Sequence, residues 1–387
     1  MTQSSTTGGE EAIAKESEAA KLNRMILRRM QKALAEDPEV DLLSKFPSGY
    51  SQRLARNRAV STSDSEHKAI NPKRRRIESP PMSFAKDDTR SRIRASDEAL
   101  TLSPLSKTLE VSLALDNGAP LAERITRSLA QSEILYSTPG GTSVVLKLDH
   151  TSIVKIVHGE PDLTEYKTIE FLETHISRDY YPKPLGLVRL SGYTLMFMSY
   201  VPGKTLEAAW PTLDETQRIS IRDQLDRVLT ELRSLPCPEG TSLGGVDGKG
   251  CKDSRRRERR TLHPIYTHQE FLDFLFSNPH FGSVIYIKFI RTFLNSHHSP
   301  RSVFTHGDLR LPNIIVDDDP NGMPHITGII DWELSGFYPE YWESLKVTNC
   351  LATNEDSDWY LYLPKCISPF RYPVQWLVDL IWDKHIE

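Results

Sequence analysis

The 387-residue sequence is short of cysteine, of long apolar runs and, in its first quarter, of aromatic side chains. Its four cysteines, Cys237, Cys251, Cys350 and Cys366, form no C-x-x-C pair, which argues against a zinc knuckle or a disulfide framework and for reduced thiols. The longest apolar stretches, such as Ser143 to Leu148 and Ile326 to Ile330, fall far below the ~20 residues needed to span a bilayer. The opening MTQSSTTGGEEAIAKE carries acid where a secretion signal has base followed by an apolar run. The expectation is therefore no membrane role and a cytoplasmic, or alternatively nuclear, location.

Charge of one sign is lacking overall, but the net −4 conceals an asymmetry: Lys and Arg exceed Asp and Glu by 4 up to residue 100 and fall short by 8 beyond it. Residues 1–105, rich in Ser, Arg, Lys and Glu, offer too little apolar area to offset chain entropy, and a mostly disordered tail is expected there. Within it, residues 10–35 carry Leu22, Met25, Ile26, Arg29, Met30 and Leu34 at helical spacing, with Pro38 beyond, so one helix is expected, either solvated or docked on a partner or on the folded domain. The cluster Lys73-Arg74-Arg75-Arg76, ahead of Ser79-Pro80-Pro81, reads either as a nuclear-import signal that an import receptor would bind or as an ordinary basic patch. No aromatics are interleaved with the arginines to stack bases, so no nucleic-acid platform is expected.

From Leu121 the pattern changes. Ala122 to Ala130 reads as a helix, followed by strands at Ile134–Tyr136, Ser143–Leu148 and Ser152–Val157, a helix over Thr164 to His175, and strands at Gly186–Leu190 and Thr194–Tyr200. A largely helical region starts near Leu206. The expected architecture is α+β: a β-rich lobe over 121–201 and a larger helical lobe over 202–387.

The chemistry concentrates in Thr305-His306-Gly307-Asp308-Leu309-Arg310-Leu311-Pro312-Asn313 and Ile329-Ile330-Asp331-Trp332-Glu333. Apolar runs on both sides of Asp317-Asp318-Asp319-Pro320-Asn321-Gly322 predict a hairpin that brings Asn313 beside Asp331, with Asp308 on the preceding loop. Two carboxylates and an amide then converge, all hard oxygen donors of the kind Mg²⁺ prefers.

These segments, HGDLRLPN and IIDWE, resemble the catalytic core of the aminoglycoside phosphotransferases and choline kinases, a branch of the protein-kinase-like fold, over roughly Ile134 to Trp382. The phrases Pro202 to Trp210 and Gly336 to Glu343 are similar to those of many fungal members. The resemblance implies a bilobal fold using ATP and Mg²⁺, with Asp308 accepting or orienting the acceptor proton, His306 supporting the catalytic loop, and Asn313 and Asp331 holding the metal. Lys155, a lone cation in an apolar strand, would grip the phosphates and pair with Glu165, although Glu170 lies on the same helix. Gly140 and Gly141, with Ser143 as a hydroxyl donor, would cover the phosphates, but Pro-Gly-Gly is also an ordinary turn and the full G-x-G-x-x-G is lacking. Met198 and the backbone of Ser199 and Val201 would receive adenine. Trp332 and the Gly336 to Glu343 phrase read mainly as packing beneath the site.

The implied activity is transfer of the γ-phosphoryl group of ATP to a hydroxyl of a small-molecule acceptor; a nucleotide-binding scaffold without catalysis is the alternative. A protein kinase fits less well, since HGD replaces H-R-D, D-W-E replaces D-F-G, and no A-P-E segment follows. The basic stretch Gly244 to Thr261 and the N-terminal extension depart from the smaller members. The former is expected to be a solvated loop or, alternatively, an acceptor-side segment for an acidic or phosphorylated acceptor.

Overall fold

The computed structural model describes residues 18–37, 84, 88–113, 118–138, 143–159, 162–237, 239–254, 259–279, 281–294 and 299–385. It divides into a unit over 1–80 and a unit over 81–387. In the first, one helix, α1 (Glu18–Glu36), covers most of the span in which a helix is expected. The Lys73–Arg76 cluster lies outside the described residues.

The second unit begins with β1 (Leu100–Ser103), α2 (Lys107–Ser112), α3 (Leu121–Gln131), β2 (Glu133–Ser137), β3 (Ser143–Lys147), β4 (Ser152–His158), α4 (Thr164–His175), β5 (Pro184–Leu190) and β6 (Tyr193–Ser199). The strands form one antiparallel sheet in the order β1-β5-β6-β4-β3-β2. Two local devices fix the register. Asp149 Oδ1 accepts hydrogen bonds from the Thr151 and Ser152 N–H groups, closing the β3–β4 turn, and Ser191 and Gly192, both at positive φ, make a two-residue turn between the paired Leu190 and Tyr193.

The sheet uses its two faces differently. Val144, Leu146, Val154 and Ile156 point to one side, where Leu109 of α2 and Ile125 and Leu129 of α3 cover them. Lys155, opposite Val145 on β3 and Met196 on β6, occupies the other face together with Ile153 and its partner Met198. β1 requires a correction: the residues that lead into the sheet belong to the folded lobe, and neither a tail to residue 105 nor a lobe starting at 121 describes them. Thr101 pairs with Val188, and the Ser106 N–H donates to the Leu185 C=O at 2.7 Å.

The helical part contains β7 (Lys204–Thr205), α5 (Leu206–Ala209), α6 (Glu215–Arg233), β8 (Lys252–Asp253), β9 (Arg259–Arg260), α7 (His268–Leu275), α8 (Val284–Thr292), β10 (Ser302–Thr305), β11 (Ile314–Asp318), β12 (Pro324–Ile329), β13 (Gly336–Pro339), α9 (Trp342–Lys346) and α10 (Pro373–His385). A capping box, with Asp214 and Gln217 exchanging side-chain and backbone hydrogen bonds, starts α6. β11 and β12 form the expected hairpin, extended on its other edge by β7. β10 and β13 pair antiparallel, so the segments joining β10 to β11 and β12 to β13 lie side by side. Phe304, Leu309, Ile314, Val316, Ile329, Trp332 and Phe337 are buried together beneath them. Among the described residues no helix is long and apolar enough to cross a membrane.

The described residues of the basic stretch, 244–254 and 259–261, do not form a solvated loop. Gly244 and Phe337 exchange two backbone hydrogen bonds of 2.8 Å, tying it to β13, and Lys252 and Asp253 are buried. Asp253 is held by Arg259 at 2.5 Å and by Lys346, while Lys252 Nζ meets Asp162 at 2.6 Å. Three of the charges that make the stretch look soluble, those of Lys252, Asp253 and Arg259, are thus met by opposite charges within the fold, which is how charged side chains become affordable inside a protein.

Candidate functional site

The site forms where α4, β4, the β10–β11 segment and the β12–β13 segment meet. Lys155 Nζ lies 2.6 Å from Glu165 Oε2, 3.2 Å from Asp331 Oδ1 and 3.2 Å from Glu333 Oε2. Burial by itself would depress the Lys155 ammonium; the three surrounding carboxylates outweigh it and hold its pKa well above the ordinary lysine value. Glu170 is occupied elsewhere, accepting from Ser103 Oγ and Lys167 Nζ, so Glu165 is the carboxylate that meets Lys155.

His306 is buried and cross-links the two functional segments. Its Nδ1 accepts the Asp308 N–H at 3.2 Å, which leaves Nε2 to donate to the Ile330 C=O at 3.1 Å, one residue before Asp331. Burial lowers its pKa, so the ring is neutral as this pattern requires. His306 is a positioning residue, with its ring also packed on Trp332. Behind the loop, the buried Glu343 accepts the N–H groups of His306 at 2.6 Å and Gly307 at 3.3 Å. Gly307 has φ +83°, and a Cβ there would stand 2.5 Å from the Leu334 carbonyl oxygen. Thus the Gly336 to Glu343 phrase supplies a polar anchor as well as packing.

Asp308 is held from two sides. Arg310 donates through Nε at 3.0 Å and Nη2 at 2.8 Å to Asp308 Oδ2, and Asn313 Nδ2 donates to the same oxygen at 3.0 Å and to the Asp308 C=O at 2.8 Å. Burial raises the Asp308 carboxyl above the usual range; Arg310 opposes this and Asp331 adds to it. The Asn313 amide nitrogen being committed, its Oδ1 is the atom left for a cation. Asp331 follows Ile330, whose N–H donates to the Asn313 C=O at 2.9 Å, and adopts φ +67°, a left-handed conformation costly for a residue with a side chain.

Glu165, Asp331 and Glu333 place carboxylate oxygens within 4.8 Å of one another. These three carboxylates share the Lys155 ammonium, with Asp308 nearby, a donor set suited to a hard divalent cation. Glu333, Glu343, Arg310 and Lys252 were not singled out by sequence reasoning. Glu333 and Arg310 sit inside the motifs and could have been weighed from that position; Lys252, whose Nζ donates to the Glu333 C=O at 2.9 Å, carries no local signal.

For the nucleotide side, Ser143 Oγ is buried with no hydrogen-bond partner among the described residues, on the sheet face that carries Lys155. Such an orphaned hydroxyl fits a phosphate oxygen. Gly140 and Gly141 lie outside the described residues. Met198 is buried at the end of β6. The Ser199 N–H donates to the Lys183 C=O at 2.9 Å and its Oγ accepts the Lys183 N–H, so its C=O is the backbone group left to face a purine. Val201 makes no backbone hydrogen bond among the described residues and lies against Gly328 of β12.

Comparison with known proteins comes from two directions. A family profile, APH, described as the phosphotransferase enzyme family, matches residues 138–361. No curated protein matches the sequence. Among solved structures, the streptomycin–ATP ternary complex of APH(2")-IIa aligns with a TM-score of 0.45 at 16% identity, over 70% of this chain and 92% of that one. ADP-bound aminoglycoside phosphotransferase APH(2'')-Ib gives 0.42 at 16%, over 67% and 88%. APH(3'')-Id from Streptomyces rimosus ATCC10970 gives 0.41 at 16%, over 72% and 100%.

Proposed function

Because the chain belongs to the phosphotransferase enzyme family, its profile matching well over half of the sequence, we propose that it transfers the γ-phosphoryl group of ATP to a hydroxyl of a small-molecule acceptor. The observation that carries this reading is the convergence of Asp308, Asn313, Asp331 and the Lys155–Glu165 pair within one site.

Each residue then has a task. The acceptor hydroxyl gives its proton to Asp308 as its oxygen bonds to the γ-phosphorus; the bond from that phosphorus to the β–γ bridging oxygen breaks, and ADP leaves with the electron pair. A raised pKa suits Asp308 to this work, since a base is most effective when its pKa approaches the working pH. Lys155, oriented by Glu165, neutralises phosphate charge. Asn313 Oδ1 and Asp331 would hold Mg²⁺, with Glu333 close enough to take part, and the ion would supply further neutralisation of the phosphates. The Val201 backbone, which makes no hydrogen bond among the described residues, is suited to the adenine edge, and Met198 to its ring face.

The test is ADP release with a metabolite library at millimolar Mg·ATP. Wild type is expected to bind Mg·ATP and to release ADP with at least one acceptor; Asp308→Asn is expected to keep nucleotide binding while the rate falls by about 10²–10⁴. Absence of any Mg·ATP-dependent thermal shift would overturn the reading.

A further inference from the structure

Glu165 lies in the first turn of α4, so whatever fixes the start of α4 also fixes the partner of Lys155. The basic stretch does this. Lys252 and Arg260 stand opposite each other in the β8–β9 pairing and reach one carboxylate, that of Asp162, two residues before α4: Lys252 Nζ at 2.6 Å and Arg260 Nη1 at 2.5 Å. Like charges directly opposite on paired strands repel, and Asp162 offsets that repulsion. Asp162 in turn accepts the N–H of Thr164, the first residue of α4, at 2.9 Å, and Thr164 Oγ1 donates to Asp247 of the same stretch at 3.3 Å. The grip falls one residue before Glu165.

Lys252 also holds a second segment. Its buried Nζ donates to the Glu333 C=O at 2.9 Å, two residues beyond Asp331. One ammonium thus ties the helix that supplies Glu165 to the segment that supplies Asp331, the two carboxylates that Lys155 joins. A turn further along α4, Thr168 Oγ1 and Ser335 Oγ share a hydrogen bond of 2.7 Å, a parallel link between the same two elements. The other residue pair of β8 and β9 is anchored separately, Asp253 meeting both Arg259 and Lys346 of α9, so the tie has a fixed base.

We propose that Lys252 is a positioning residue for phosphoryl transfer: by holding Asp162 and the Glu333 carbonyl on one ammonium, it keeps α4 against the 331–335 segment and the Lys155–Glu165 pair formed before the nucleotide arrives. This rests on the phosphotransferase reading and adds to it a residue outside the motifs that carry that reading. Its effect is preorganisation, since phosphate-binding charge counts most when it needs no rearrangement at the moment of reaction. Removing Lys252 leaves Asp162 its bond to the half-exposed Arg260, so that carboxylate is not stranded, whereas the tie to Glu333 is lost.

The experiment uses the full chain, with Mg·ATP and adenosine as probes. Calorimetry gives the Kd of each, and release of ADP from Mg·ATP with water as acceptor gives a rate. Adenosine lacks the phosphates that Lys155 would meet, so the ratio of the two affinities separates that contact from the soundness of the fold. Lys252→Met is expected to weaken Mg·ATP about tenfold or more while adenosine stays within about twofold. ADP release should slow about 10²-fold. Glu165→Gln is expected to weaken Mg·ATP in the same way, and the double variant to bind no worse than the weaker single variant by more than about twofold, because both changes break one arrangement. Asp162→Asn, an isosteric change, should reproduce the pattern more weakly, and it carries the test if Lys252→Met fails to fold. Equal weakening of Mg·ATP and adenosine, losses that multiply in the double variant, or an unchanged Mg·ATP affinity and rate would each overturn the proposal while leaving the phosphotransferase standing. No binding of Mg·ATP by wild type overturns the phosphotransferase reading and the proposal with it.

Discussion

Lys155 Nζ and Glu165 Oε2 stand 2.6 Å apart, joining the sheet to the helix that follows it, and the same ammonium reaches Asp331 and Glu333 at 3.2 Å. One cation thus serves three carboxylates that come from α4 and from the segment after β12. Lys155→Met should leave them facing one another without a counter-ion. Breaking a buried pair in this way typically costs about 3–5 kcal/mol, so a marked fall in the urea midpoint is expected. The variant should also gain stability on adding Mg²⁺ alone, more than wild type does; no difference between them in a thermal melt would contradict this account of the cluster.

The Arg310–Asp308 contact gives a pH signature. Asp308 must be ionised to receive a proton, burial raises its pKa, and Arg310 opposes that rise. Arg310→Gln removes the opposing charge, so the acid limb of the kcat/KM profile should move to higher pH. The ratio of activity at pH about 6 to that at pH about 8 should drop relative to wild type, a change in profile shape that a simple loss of folding would not produce.

Glu343 tests the scaffold of the loop. It accepts two buried backbone N–H groups, those of His306 and Gly307. Glu343→Ala strands both donors and opens a cavity, so a loss of about 2–4 kcal/mol is expected in chemical denaturation. Glu343→Gln, which keeps one acceptor oxygen, should recover part of it.

Acid stability should report on Asp162. Burial pushes its carboxyl up, but Lys252 at 2.6 Å and the Thr164 N–H at 2.9 Å hold it well below the usual carboxylate range. A carboxyl depressed in the folded state stabilises above its unfolded value of about 3.9 and loses that contribution as pH falls through the folded value. Asp162→Asn should therefore be less stable at neutral pH and should lose less stability than wild type between pH about 5 and pH about 2.

Much of this was legible because it is local. The hairpin flanked by Asn313 and Asp331 follows from two apolar runs around a turn sequence, and α4 from its own periodicity. What was not legible depends on partners distant in the chain. Leu100 to Ser103 is only four residues long and leaves both its leucines largely exposed, so only the edge of β5 makes it a strand. Lys252 and Asp253 read as a soluble stretch because their partners, Asp162 on one side and Lys346 on the other, lie about ninety residues away in either direction. That the Ser199 N–H is taken by Lys183, leaving only its C=O for a purine, depends on how the chain enters β5.

The left-handed backbone at Asp331 sets two selective pressures against each other at one position. A drifting population judged on folding alone would move it to glycine, which adopts that conformation without the cost of about 1 kcal/mol or more borne by a side chain. Asp331→Gly should therefore yield a protein at least as stable as wild type and catalytically silent, so that in any lineage the residue at this position distinguishes a chain retained as a catalyst from one retained only as a shape.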